Sequence, residues 1–348
     1  MPRCEAIVSA FVLPRPWAEH RAYVDHRQNV LKLLNGIKID GKQFDPESRI
    51  GQCSFSIRKP SSDEIVFLES KVMRAGVKNS IVVDLISDDF SIQKTAEDIR
   101  SINSQTLDAE DVPQFAKYAI GNELSSILNG CISIWNICYS GCLNSIWHIA
   151  VVDGEIVDFG DRCEFRTLWA LTDNHEIADL LNVKISPIEA LEWSIGCSGF
   201  WRGQAETRIQ RATACLMRTF SNRTAGMDTY GTLMWSLAGL EALYCNNESS
   251  IKYQIRNRAP LVVERYRIKD LDKNISKGYD FRSRLFHGDI PIRSPLADYD
   301  DDYQDKRHHR RQADEYANFF CLLLTCSVTA AIEEKSQDIF FNETCQFS

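Results

Sequence analysis

From Glu206 onward the apolar residues recur with the period of packed helices, and nothing else in the chain constrains its fold as strongly. Within Tyr230–Cys245, residues Leu233, Leu237, Leu240 and Tyr244 follow at intervals of four, three and four, the stripe that one helix face buries. Gly231, Ala238 and Gly239 are small enough to admit a neighbouring helix closely. The same reading gives helices over Glu206–Phe220 and Ser249–Val263, the latter broken or kinked by Pro260. Asp270–His287 follows, with Gly288 as its terminator, and Arg307–Glu334 forms the last long helix. Helices joined by short loops make an up-and-down bundle. We delimit it as residues 200–335, with a tail over 336–348.

The first part of the chain, residues 1–195, reads as a mixed α/β domain of unknown fold with a sensor or regulatory role, so the whole is α+β. Glu5–Leu13 is a strand ended by Pro14 and Pro16, and Trp17–Asn35 is a helix stopped by Gly36. Gln52–Ile57, Ile65–Leu68 and Ser80–Ile86 are short apolar runs expected as strands. Val112–Tyr139 is a long amphipathic helix closing near Gly141. Ile149–Phe159 is a hairpin turning at Asp153-Gly154, and Glu164–Leu171 is a further strand. No glycine-rich phosphate loop follows any strand, which counts against a nucleotide-sensing role for this half without excluding it.

Charge is distributed unevenly. Residues 1–201 hold 19 Lys and Arg against 28 Asp and Glu, residues 202–287 hold 15 against 8, and residues 288–348 hold 6 against 12. A basic segment between acidic ones is the footprint of a polyanion site, or simply a solvated surface. The chain has 12 cysteines but no Cys-x-x-Cys pair, so neither a zinc site nor a secreted disulfide framework is expected. Cys131, Cys138 and Cys142 share one stripe of a helix and read as small core residues. No stretch is expected to be long and apolar enough for a membrane span, and no secretory leader is recognisable, so the expected location is the cytoplasm. No cofactor and no metal are expected.

Two segments carry a more specific pattern. Tyr279-Asp-Phe-Arg-Ser-Arg-Leu-Phe-His-Gly288 resembles the Arg-Ser-x-x-x-His-Gly signature of Apea-like HEPN domains, the helical ribonuclease fold of prokaryotic defence systems. Trp235-Ser-Leu-Ala-Gly-Leu-Glu-Ala-Leu-Tyr244 is similar to the Leu-Glu-Ala-Leu helix that precedes that signature in the same family. The resemblance implies an all-α HEPN helical bundle over about 200–335. It also implies metal-independent RNA cleavage with Arg282 and His287 as catalytic residues. Ser283 and Arg284 would support contact with the RNA backbone, and Glu241 would orient Arg282 or satisfy a buried charge. HEPN nucleases are similar in building their sites from two copies, which implies a homodimer.

The residue chemistry suits such a reaction. RNA carries its own nucleophile, the 2′-hydroxyl. Cleavage then needs a proton carrier that works near neutrality, which histidine is, and a cation matched to phosphoryl oxygens, which arginine is. Five residues turn an ideal helix by about 140° beyond a full turn, so one helix does not present both groups on one face. A two-fold pair of such segments can complete one composite site. The alternatives stay open at this point. The arginine and histidine can equally cap carbonyls or pair with Asp280 and Glu241. The whole bundle can equally be a non-catalytic dimerisation or nucleotide-binding scaffold. An endoribonuclease effector in anti-phage defence or a toxin-like system is the first expectation, with RNA as substrate and an activating or inhibiting partner protein acting through residues 1–195. Three other patterns are set aside. Arg21 and His26 repeat the spacing without the flanking signature. The acidic run Asp298–Asp302 lacks the glycine and glutamate of a calcium loop. Arg307–Arg311 reads as a solvated basic helix start.

Overall fold

The computed structural model describes residues 5–14, 30, 32–45, 48–71, 80–102, 110–139, 143–158, 184–220, 229–246, 250–290 and 304–341. The chain divides into two compact units, residues 1–165 with 184–204, and residues 166–183 with 205–348. The expected strand Glu164–Leu171, most of the expected helix Trp17–Asn35, Cys142 and the acidic run Asp298–Asp302 lie outside the described residues.

The first unit is built on one six-stranded antiparallel sheet. Its strands are β1 (Ala6–Pro14), β2 (Lys38–Lys42), β3 (Cys53–Arg58), β4 (Ile81–Ser87), β5 (Leu143–Val152) and β6 (Glu155–Asp158). They lie in the order β2-β3-β4-β1-β5-β6. Register follows burial. In β3, Cys53, Phe55 and Ile57 are buried while Ser54, Ser56 and Arg58 are half-exposed, the alternation of a strand with one face on a core. Phe55 pairs with Leu85 of β4, also buried, and Val8 of β1 pairs with Leu85 and with the buried Ala150 of β5. The β5–β6 turn uses Asp153 and Gly154, both at positive φ, as a tight right-twisting hairpin requires.

The same unit contains helices. They are α1 (Ser62–Lys71), α2 (Ile92–Ile102), α3 (Val112–Cys138), α4 (Pro187–Gly196) and the short α5 (Ser198–Trp201). The apolar α3 packs on β1 and β5. Its Trp135 ring meets Phe55 edge-on at 6.4 Å and donates its indole N–H to the Pro187 carbonyl at 3.1 Å. Cys131 and Cys138 are fully buried in this helix, and burial pushes the Cys138 thiol up to about 12. Eight cysteines are free among the described residues.

The expected strand Ile65–Leu68 is instead part of α1. Ser61 and Glu64 form a reciprocal cap: the Ser61 N–H donates to Glu64 at 2.7 Å, and the Glu64 N–H donates to the Ser61 hydroxyl at 3.3 Å. That capping box nucleates a helix, and its effect outweighs the β-branched pair Ile65-Val66. On the outer sheet face, Asp84 of β4 accepts from Ser9 of β1 at 2.6 Å and from the Arg58 Nε at 2.7 Å. The other two Arg58 nitrogens reach the Glu64 carboxylate at 2.8 and 2.7 Å. Three strands and α1 are thereby joined by one cluster in which every charge has a partner. The hydrogen bonds from Arg58 hold the Glu64 carboxyl down at about 2.

The second unit is a helical bundle. Its members are α6 (Arg208–Phe220), α7 (Thr229–Tyr244), α8 (Ile251–Val263), α9 (Leu271–Phe286) and α10 (Gln304–Glu333). The α10 helix packs against all four others. Leu233, Leu237, Leu240 and Tyr244 are buried as their spacing implies, and the Tyr244 hydroxyl meets Ser327 of α10 at 2.7 Å. Gly239 lets α7 approach closely, since a Cβ there would stand 2.6 Å from Leu324. Ala238, expected to share that role, is exposed instead. Pro260 sits inside α8 without ending it, because the helix runs to Val263 before a single 3₁₀ turn over Glu264–Tyr266. Residues Arg311–Glu333 are long and apolar enough to cross a membrane, contrary to the sequence expectation, but most of this stretch is buried within the unit.

Candidate functional site

The C-terminal end of α9 gathers the residues singled out by the sequence. Gly278 allows α9 to lie close to α10, with a hypothetical Cβ only 2.4 Å from the Phe320 ring. Tyr279, one residue on, stacks edge-on against Phe320 at 5.7 Å. The helix then ends in a Schellman turn. The Asp289 N–H donates to the Arg284 carbonyl at 2.9 Å and the Gly288 N–H to the Leu285 carbonyl at 3.3 Å, with Gly288 at φ +83°. Only glycine enters that left-handed region without steric cost. Leu285 and Ile290 are buried on either side of the turn, so the chain between them is pinned at both ends and residues 286–289 stand in solvent.

Arg282 faces α7 from this helix. Its guanidinium lies 3.7 Å from the Glu241 carboxylate, an ion pair longer than a hydrogen bond. It also sits 4.8 Å over the ring of Phe286, one turn later on the same helix. Its Nε is buried without a hydrogen-bond partner among the described residues, while the side chain as a whole remains 35% exposed. Glu241 accepts a hydrogen bond from the Tyr279 hydroxyl at 3.3 Å. Tyr279, Arg282 and Phe286 are spaced by three and four residues and therefore share a face. Burial, reinforced by the Glu241 charge, raises the Tyr279 phenol far above its ordinary value and keeps it a neutral donor.

His287 occupies the C-cap of α9, with helical φ and ψ of −80° and 0°. Its backbone N–H donates to the Ser283 carbonyl at 3.0 Å. Its exposed imidazole makes no hydrogen bond or ion pair with any described residue, and the same holds for the exposed side chains of Ser283 and Arg284. The structure therefore brings Glu241 and Arg282 together, and leaves His287, Ser283 and Arg284 open beside them. Within one chain no contact joins Arg282 to His287. Asp280, a possible partner from sequence, is taken by Lys252 of α8 at 2.8 Å.

Tyr279 and Phe286 belong to this cluster although sequence reasoning assigned them no role. The available signal was their spacing, since residues three before and four after an arginine share its helix face. Of the basic cluster Arg307–Arg311, Arg311 pairs with Glu315 at 3.0 Å on the same exposed helix face. Chemically, the α9 end offers two cations with unused hydrogen-bonding capacity, Arg282 and Arg284, an imidazole that no described residue engages and an exposed aromatic edge. Among the described residues no group of three His, Cys, Asp or Glu side chains is placed to hold a metal ion. Comparison with protein-family models, with curated proteins and with solved structures finds no match to this chain.

Proposed function

We propose that this chain is a metal-independent endoribonuclease of HEPN type, acting in bacterial anti-phage defence or as a toxin-like effector, with Arg282 and His287 as its catalytic residues. One observation carries the reading. Arg282 is held half-open between a carboxylate and a phenyl ring, within two helical turns of an imidazole that no described residue engages. A guanidinium needed only for structure is normally saturated, as Arg58 is.

In this reading the RNA 2′-oxygen attacks the adjacent phosphorus, forming a 2′,3′-cyclic phosphate as the bond to the 5′-oxygen breaks. One imidazole takes the 2′-hydroxyl proton, and a second delivers a proton to the departing 5′-oxygen. Arg282 stabilises the charge that develops on the non-bridging oxygens. Because Arg282 and His287 diverge around α9, a homodimer that sets two α9 ends together supplies both imidazoles. Glu241 and Tyr279 orient the guanidinium. Residues 1–195 then sense or restrain, through a partner protein.

The test combines a size measurement with cleavage of a labelled transfer RNA and its DNA copy. Wild-type chain is expected to cut the RNA, to spare the DNA and to be indifferent to EDTA. Arg282→Ala and His287→Ala are expected to be inactive with unchanged helical content. Cleavage that persists in both variants, or that stops with EDTA, overturns the reading. Tight self-association without any turnover replaces it with a scaffold role.

A further inference from the structure

On α6, Arg208, Arg211, Cys215 and Arg218 follow at intervals of three, four and three, so the arginines form one stripe along the helix. The other side of α6 buries Ile209, Ala212 and Leu216, and the helix contains no acidic residue. Among the described residues none of these guanidinium groups pairs with a carboxylate, and the Arg208 main-chain N–H donates to the Asp338 carboxylate at 3.1 Å. Arg208 reaches the Leu243 carbonyl at 3.4 Å, and Arg211 donates to the carbonyls of Ala205 and Glu206 at 3.4 and 2.7 Å. Arg218 lies 5.7 Å from the centre of the Trp235 ring on α7, and that indole is 43% exposed. Arg211 and Arg218 are exposed as well.

A file of uncompensated arginines ending on an open indole has a specific chemical complement. Phosphates pair with guanidinium groups, and an unpaired base has a flat face to lay on an aromatic ring. A duplex cannot use the ring, because its bases are already stacked. The charge balance agrees, since residues 202–287 hold 15 basic against 8 acidic side chains between two acidic segments. The far end of the stripe leads towards Arg282. Arg208 bonds the carbonyl of Leu243, two residues beyond Glu241, and both Arg208 and Glu241 act on the Cys245 thiol in opposite senses.

We propose that the α6–α7 hairpin is a track for single-stranded RNA, with Trp235 stacking an unpaired base and Arg218, Arg211 and Arg208 holding the phosphates that follow. The choice of RNA among polyanions rests on the nuclease reading, whereas the single-strand preference rests on the indole. The track is tested by fluorescence anisotropy of a labelled oligouridylate on the full chain carrying His287→Ala, which prevents turnover. Adding Trp235→Ala is expected to weaken binding by about ten-fold or more, and Trp235→Phe to recover most of it. Adding Arg218→Ala weakens binding and lowers the salt slope by about one. A duplex of the same length binds more weakly than the single strand. The proposal is overturned by a parent that does not bind oligouridylate, by variants that bind as the parent does, or by equal affinity for duplex. It is also overturned by a Trp235→Ala chain that changes its sedimentation, since the indole would then belong to a contact between copies. The two readings fail separately. Loss of binding in Trp235→Ala with no cleavage by wild type leaves the track and removes the nuclease, and unimpaired cleavage by Trp235→Ala does the reverse.

Discussion

Arg58 in the first unit and Arg282 in the second are both arginines beside carboxylates, yet they are held in opposite ways. Arg58 gives Nε to Asp84 and both terminal nitrogens to Glu64, all within 2.8 Å, and Asp84 is itself bonded to Ser9. Arg282 has one carboxylate at 3.7 Å, one aromatic ring and an orphaned Nε. The first cluster has no capacity left for a ligand, and its effect is to fasten α1 to three strands. The second retains donors that a phosphate can use. Proximity of opposite charges does not by itself separate the two clusters, whereas unspent hydrogen-bonding capacity does.

Substitutions can break or sharpen this contrast. The largest effect is expected for Arg282→Ala, which should lower RNA cleavage by about a hundred-fold or more while moving the thermal midpoint little. A variant that unfolds instead would place Arg282 in the same class as Arg58. Next comes Asp84→Ala, expected to destabilise by about 2 kcal/mol in chemical denaturation, because a nearly buried carboxylate with three partners, Ser9, Ser56 and Arg58, is removed. A neutral result would show that the sheet cluster contributes no net stability. Glu241→Gln should be milder, lowering turnover about five- to ten-fold with little change in KM, and Glu241→Asp should restore part of it. Equal loss in KM would assign Glu241 to binding rather than to positioning Arg282.

The smallest effect is one of pH. Glu64 titrates at about 2 when folded, against an ordinary value of 4.5, chiefly through its hydrogen bonds from Arg58. A depressed carboxylate stabilises the fold fully above its unfolded value, and that contribution disappears as pH falls from about 4.5 towards 2. Denaturation profiles of wild type and Glu64→Gln should therefore converge across that window. Parallel profiles would mean that Arg58 and Glu64 are not coupled in solution.

Much of the second unit was legible in the sequence, because what defines a helix is local. The stripe Leu233–Tyr244 and the terminator Gly288 there, like the strand limits around β1 and β4 in the first unit, all depend on residues within a few positions of one another. The segment Ile65–Leu68 is helix rather than the expected strand because another local signal, the Ser61–Glu64 cap, outweighs its β-branched residues. The capping box Ser186–Glu189 of α4 is a signal equally local to its helix, whereas the short, charged β2 carries almost none. Arg282, His287 and Glu241 were named from their motifs, but Tyr279 and Phe286 were not.

The sequence by itself determined the helices of the second unit and their approximate ends, and which residue types there suit proton transfer and anion binding. Tertiary structure alone decided that β1 lies between β4 and β5, that Arg58 is saturated, and that Arg282 is not. The physical reason is separation along the chain. Asp84 meets Ser9 across 75 positions and Tyr279 meets Glu241 across 38. Pairings at that range form only when packing of the intervening chain brings the partners together, which no periodicity records.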